Sequence, residues 1–208
     1  LVSCLISGGG SALLVQPHKG ITLQDIQTAS AELLACGATI DEINTVRKHL
    51  SSIKGGQLAK AAYPSTLITL MLSDVVGDPM DIIASGPTVP DESTFEDAYA
   101  IIQKYTLEEK IPNIVCGFLR SGKMGEIEET PKNGNKIFDN TQNVIVGSNK
   151  IALDAAEKRA KDLGYNTIVL SSLVEGESRD VAKFFAAIAK EVSRTGTPVP
   201  KPACIIAG

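Results

Sequence analysis

The sequence predicts an α/β fold, a three-layer α/β/α sandwich around a mainly parallel, Rossmann-like sheet. Three observations predict it. Apolar runs of strand length alternate with helix-length amphipathic segments along the whole chain. The runs are apolar with little alternation, as strands buried on both faces must be. Residues with unusual chemistry cluster directly after the runs, where open α/β sheets hold their ligands.

The elements follow in order. Leu1–Ile6 reads as a buried strand, and Leu23–Ala35 as a helix ended by Gly37. Asp41–Ala62 reads as a longer helix with a break near Gly55-Gly56. LITLML, Leu67–Leu72, is a strand; Thr94–Tyr105 and Ile114–Leu119 have helical spacing. Glu126–Asn140 is polar, with Pro and Gly, and is expected to be a surface loop. Asn143–Val146 is a strand followed by a helix to about Leu163; Thr167–Ser171 is a strand and Ser178–Ser193 a helix. Gly196–Pro202 is an extended connector to a last strand at Cys204–Ala207. The sequence begins inside one apolar run and ends inside another. It is expected to be one domain over residues 1–208, truncated at both ends.

Composition narrows the function classes. The chain has 208 residues, enough to remove roughly 70% of the unfolded surface from water without staples. Aromatic residues are 4% and Trp is absent, so the core is expected to be aliphatic. A net charge of -4 argues against nucleic acid, which demands a basic footprint. Cys4, Cys36, Cys116 and Cys204 have no CxxC spacing, and only His18 and His49 could join them in a zinc site. They read as buried thiols in a reducing, cytoplasmic setting, with organellar targeting left open by the N-terminus. No apolar run approaches the roughly 20 residues that span a bilayer.

The strand exits carry the candidate chemistry. After the first strand comes Ser7-Gly8-Gly9-Gly10-Ser11. Consecutive glycines let backbone N–H groups converge on an anion, and the serines add hydroxyls. The other reading is a tight turn where strand and helix pack closely. GxGxxG is not met, because position 13 is Leu. Next, Asn44, Arg47, Ser51 and Lys54 follow spacings of three and four, one face if the segment is helical, beside the apolar stripe Ile43, Val46, Leu50 and Ile53. Two cations with amide and hydroxyl donors suit a carboxylate or phosphate; a solvated basic face is the alternative.

The third exit follows LITLML. Asp74 and Asp78 flank Gly77, and a second small-residue loop, Ala84-Ser85-Gly86-Pro87, comes next. An acidic pair here suits Mg²⁺, which uses one or two carboxylates and keeps several waters, or a substrate hydroxyl. Alternatively the two aspartates only cap a turn and a helix. At the fourth exit Ser148-Asn149 either caps a helix or touches a ligand. Gly117 to Lys123 fits GxxxxGK, but Met124 stands where a hydroxyl must bind metal, and no strand precedes it.

Four blocks, ISGGGSALL (6–14), INTVRKHLSSIKGGQLA (43–59), LSDVVGDPMDIIASGPT (72–88) and NVIVGSNKIALDAA (143–156), closely resemble the glycerate 2-kinase family with its C-terminal MOFRL domain. The resemblance covers nearly the whole chain, least in 126–140. It implies transfer of a phosphoryl group from ATP to the 2-hydroxyl of D-glycerate, with this chain as the larger part of the N-terminal domain. It also implies that a lead-in lysine and a C-terminal glycine-rich segment and arginine lie outside the chain, so that the chain alone is inactive. On this basis Asp74, Lys54 and Arg47 are expected to be catalytic, and Ser7, Gly8, Gly9, Gly10, Ser11, Ser148 and Asn149 to hold ATP. Asn44, Arg47, Ser85 and Gly86 are expected to hold D-glycerate, and Asp74 and Asp78 Mg²⁺. The expected partners are these small molecules and the MOFRL domain, with homo-oligomerisation open. A hydroxypyruvate reductase and a non-catalytic anion-binding module are the alternatives.

Overall fold

The structure, a computed structural model, describes all 208 residues. The chain divides into two compact units: Leu1–Leu72 with Pro79–Val146, and Ser73–Asp78 with Gly147–Gly208.

In the first unit β1 (Val2–Ile6) leads into the short α1 (Gly10–Leu13), then α2 (Leu23–Ala35), α3 (Ile40–His49), α4 (Gln57–Ala62) and β2 (Leu67–Leu72). α5 (Phe95–Lys104), α6 (Asn113–Lys123) and β3 (Thr141–Gly147) follow. The sheet order is β1-β2-β3, and β1 runs parallel to β2 with Val2 opposite Leu67 and Ile6 opposite Met71. In the second unit α7 (Asn149–Asp162), β4 (Asn166–Ser171), α8 (Ser178–Thr195) and β5 (Ala203–Ala207) alternate, and β4 runs parallel to β5. The expected α/β class with parallel pairing is therefore present.

Local chemistry explains the helix starts. Thr22, Thr39 and Thr94 each close a capping box with the acidic residue three positions on, Asp25, Glu42 and Asp97. Each box satisfies two orphan amides, and such a cap contributes about 1 kcal/mol. The main core lies among α2, α3, α5 and α6, where Leu33, Val46, Ile102, Val115 and Leu119 are fully buried. It is mostly aliphatic, as composition requires, with Phe95 and Tyr99 as its buried aromatic members.

Three expectations are corrected. First, the helix expected over 41–62 ends at His49, well before the glycines. The Ser51 hydroxyl accepts from the amides of Ile53 and Lys54, and Ser51 bridges to Pro17. Gly55 and Gly56 have φ of 57° and 81° and donate to the carbonyls of Ser85 and Gly86. Those amides are spent on another segment, so the helical ladder cannot run through them.

Second, the polar segment 126–140 is not simply a surface loop. Glu129 accepts from His49 Nε2 at 2.9 Å and from the Phe95 amide at 2.8 Å, and Thr130 and Pro131 are buried. Burial alone would push the Glu129 carboxyl up, but these hydrogen bonds and that of the Thr130 amide outweigh it and bring it to about 2. Third, the apolar strands are not covered on both faces. Leu5 is 78% exposed, and Val144 and Val146 are exposed as well. Apolar composition reports what a strand can bury, not whether a given chain supplies the cover.

The rejected GxxxxGK segment lies within α6, and its two glycines differ. Gly122 is packed on the buried Phe95 ring, which a Cβ would overlap, whereas Gly117 faces open space. Opposite outcomes are expected from one chemical change. Gly122→Ala should destabilise by about 1–3 kcal/mol through overpacking, and Gly117→Ala should stabilise by about 0.5–1 kcal/mol through helix propensity. Denaturant unfolding of the two variants checks this, and equal effects would refute it.

Candidate functional site

The site in the first unit is assembled around one backbone carbonyl. α3 carries Asn44 and Arg47 one turn apart, on the helix whose apolar stripe Ile43, Val46 and Leu50 is buried. Arg47 Nη2 donates to the Ser11 carbonyl at 2.6 Å. Lys54, reaching in from the turn after α3, donates Nζ to the same oxygen at 2.9 Å and to the Ala84 carbonyl at 3.4 Å. Lys54 is only 2% exposed, and neither cation has a carboxylate partner. Arg47 Nε is buried with no hydrogen-bond partner. Burial, and then the nearby Arg47 charge, bring the Lys54 ammonium down to about 8; burial also lowers Arg47.

Lys48, on the same helix, shows what a neutralised buried cation looks like here. Its Nζ lies 3.2 Å from the fully buried Asp91 and 3.7 Å from Asp81. Burial raises the Asp91 carboxyl, but Lys48 and Ser93 reverse this, and it ends below its usual range. Against that pair, Arg47 and Lys54 form an uncompensated dication facing only carbonyl dipoles.

Two tight backbone segments hold this arrangement. Gly9 takes φ 82° at the start of α1, and a Cβ on Gly10 would stand 2.9 Å from Ala84 Cβ, so the close-packing reading of the glycine run holds at Gly10. The Gly10 amide is taken by the Ser7 carbonyl at 3.2 Å, while those of Gly8 and Gly9 donate to no protein group. α1 has four residues, so its N-terminal end adds little to anion binding here. Opposite it, Ala84, Ser85 and Gly86 are all left-handed, with φ of 52°, 62° and 60°. For two non-glycine residues this costs of order 1–3 kcal/mol each. The turn is clamped by residues 54–58: Lys54 Nζ to Ala84, Gly55 N to Ser85, Gly56 N to Gly86 and Leu58 N to Pro87. Gly86 thus enters through its backbone, and a Cβ there would strike the Asp81 carbonyl.

The hydroxyls sit beside the cations. Ser85 Oγ donates to Asn44 Oδ1 at 3.2 Å, and Ser11 Oγ lies 3.3 Å from Ser85 Oγ. Ser51, expected on the same face, is instead a buried cap that donates to the Gln16 carbonyl. The structure thus brings together Ser11, Asn44, Arg47, Lys54 and Ser85. A cleft of about 330 Å³ lined by Cys4, Ile6, Ser7, Gly8, Leu14 and Leu58 opens at the glycine loop.

The remaining candidates belong to the second unit. The Ser73 amide donates to the Gly147 carbonyl at 2.8 Å, which sets the exit carrying Asp74 beside the one carrying Ser148. The cap in this loop is Ser73, whose hydroxyl accepts from the Val75 amide. Gly77 and Asp78 both take positive φ, so the loop doubles back. Asp74 is exposed, the Asp78 amide donates to the Val75 carbonyl at 3.1 Å, and neither carboxylate makes a hydrogen bond or ion pair within the protein. Two unengaged carboxylates suit Mg²⁺ held largely by water and phosphate. Ser148 caps α7, its hydroxyl accepting from the Ile151 amide, and Asn149 Nδ2 donates to the Ser172 carbonyl at 2.8 Å. The capping reading therefore describes Ser148.

Comparison with known proteins bears on this geometry. A family model described as "Domain of unknown function (DUF4147)" matches residues 1–120, more than half of the chain. Glycerate 2-kinase of Pyrococcus horikoshii is 43% identical over all 208 residues, which span 46% of that protein. A protein of Agrobacterium vitis named putative hydroxypyruvate reductase is 46% identical over the same 208 residues, 45% of its length. The crystal structure of glycerate kinase from Thermotoga maritima superposes on the whole chain with a TM-score of 0.88 at 40% identity, using 47% of that chain. The chain thus spans about half the length of the curated relatives it matches. By its sequence match and by the parallel-stranded fold it shares with a solved glycerate kinase, the chain belongs to the DUF4147 family.

Proposed function

We propose that this chain is the substrate-holding part of an ATP-dependent D-glycerate 2-kinase, residues 1–208 forming most of the N-terminal domain. One observation carries the reading: Arg47 and Lys54 converge on the Ser11 carbonyl with no carboxylate to neutralise them. Lys54 is buried and Arg47 half-buried, and leaving two like charges uncompensated there is costly. A carboxylate or phosphate bound at the same point would remove that cost and accept from the free Arg47 Nε.

In this reading the amides of Gly8 and Gly9 meet a phosphate of ATP, and Arg47 and Lys54 meet the carboxylate of D-glycerate. Asp74, with Asp78 in support, would hold Mg²⁺ or orient the attacking hydroxyl. Bound Mg²⁺ would neutralise phosphate charge; positioning is the main demand that phosphoryl transfer makes on a protein. The remaining catalytic groups, with the MOFRL domain, would come from the part of the longer protein corresponding to the unmatched half of the relatives. Four unpaired cysteines suit a reducing compartment such as the cytoplasm, and no helix is long and apolar enough to cross a membrane. The name of the Agrobacterium vitis relative keeps a hydroxypyruvate reductase as the second reading.

The deciding experiment uses the full-length protein that carries this chain. D-glycerate with ATP and Mg²⁺ should yield 2-phospho-D-glycerate; hydroxypyruvate-dependent oxidation of a nicotinamide cofactor without phosphorylation would decide for the reductase. Three results should accompany kinase activity. Arg47→Lys keeps the charge but loses the planar fork, and should weaken D-glycerate binding about tenfold or more by isothermal titration. The affinity should be level below pH ~7 and fall as pH rises through about 8, where the free enzyme's Lys54 loses its proton. Lys54→Gln should bind weakly and without that slope. Asp74→Asn should lower turnover on the order of a hundredfold in a normally stable enzyme, the scale of losing a charge-stabilising or general-base group.

A further inference from the structure

The serine hydroxyls beside the cation pair form a chain whose direction is fixed by proton counting. A serine hydroxyl has one proton and two lone pairs. The Ser85 proton is committed to Asn44 Oδ1, a carbonyl oxygen that can only accept. Ser85 therefore has nothing left to donate to Ser11, and a hydrogen bond across the 3.3 Å contact between the two hydroxyls runs from Ser11 to Ser85. The Ser11 proton is then directed towards Ser85. Ser11 Oγ is left with lone pairs alone on its remaining side.

The inner part of this chain is rigid. Ser85 is fully buried in the clamped left-handed turn, and Asn44 is 5% exposed on α3. The Ser85 rotor cannot turn without abandoning its buried Asn44 partner, at about 1–3 kcal/mol. The same residue, Ser11, thus presents two different faces to a ligand. Through its carbonyl it gathers Arg47 and Lys54, which call for an anion. Through its hydroxyl it offers an acceptor, which calls for a donor next to that anion.

We propose that Ser11, polarised through Ser85 and Asn44, is a specificity-determining residue that selects an anion carrying a hydroxyl group on the carbon next to its carboxylate. The inference rests on the kinase reading for the identity of the ligand, and adds to it which protein group reads the hydroxyl. Accepting the hydroxyl's hydrogen also turns that oxygen's remaining lone pairs away from Ser11, free to attack. A pocket of cations alone would bind carboxylates with or without this hydroxyl nearly equally, whereas a fixed acceptor penalises a ligand that leaves it unpaired.

The test measures the dissociation constants of D-glycerate, D-lactate and 3-hydroxypropionate for the full-length protein, with turnover of D-glycerate as a separate readout. D-lactate keeps the 2-hydroxyl, and 3-hydroxypropionate lacks it. The native protein should favour both 2-hydroxy acids over 3-hydroxypropionate by about tenfold or more. Ser11→Ala should lose most of that preference while 3-hydroxypropionate binds almost as before. Ser85→Ala frees the Ser11 proton and should narrow the preference too. Asn44→Asp, which keeps an acceptor at the end of the chain, should weaken every anion but retain the ratio, whereas Asn44→Leu should not. An unchanged ratio in a folded Ser11→Ala protein overturns the proposal. A preference lost in Asn44→Asp overturns the assigned direction of the chain. If the native protein does not phosphorylate D-glycerate at all, the kinase reading fails; if it does and Ser11→Ala keeps the ratio, this inference alone fails.

Discussion

The convergence of Arg47 and Lys54 on one carbonyl oxygen is the constraint around which the first unit is arranged. Like charges do not gather in a buried place unless the backbone gives them no other. Here the helix α3 fixes one, and the turn that Ser51 caps fixes the other. Ser11 can receive both only because Gly9 turns left-handed and Gly10 has no side chain to meet Ala84. Removing any of these supports would let a cation swing towards solvent, where it is better hydrated. The fold thus holds the charges together against their own electrostatics, a condition that an arriving anion relieves.

The neighbouring buried charges show that this is selective. Lys48 has Asp91 and Asp81, and Glu129 has His49 and two backbone amides. These groups satisfy one another and tie the segments on both sides of the left-handed turn, and the segment 128–131, to α3. They rigidify the helix, so that Asn44 and Arg47 are presented from a fixed rod. Neutralised pairs serve position, and the unneutralised pair is left for a ligand.

Much of this was legible in the sequence. β2 and α2 have the limits that the apolar runs and the Gly37 stop indicate. The exits after β1 and β2 were recognisable because three glycines and an aspartate pair are unusual after apolar runs. Arg47 and Lys54 were legible as a pair, but by an argument that only half applies: helical spacing relates Asn44 to Arg47, whereas Lys54 arrives by way of a turn. The anchoring of Ser51 on the Gln16 carbonyl and the role of Glu129 as an anchor were hidden, because both depend on partners far along the chain, at 35 and 80 residues' separation. Nothing in the string Ala84-Ser85-Gly86 announces three left-handed residues, since Ala has no preference for that region. The bare face at Leu5, Val144 and Val146 was likewise invisible, because a pattern of apolar residues does not say what lies over them.

That left-handed turn has a consequence for how substitutions there will be read. Its backbone opposes the chirality of the residues that occupy two of its three positions, so its shape is stored outside itself, in the donors of residues 54–58. A change at Ala84 or Ser85 therefore tests the grip of another segment as much as the residue replaced. A mirror-image residue installed by chemical synthesis at position 84 would occupy the same backbone without opposition. Stereochemistry and side-chain chemistry, which ordinary mutagenesis always changes together at such a point, could then be varied one at a time.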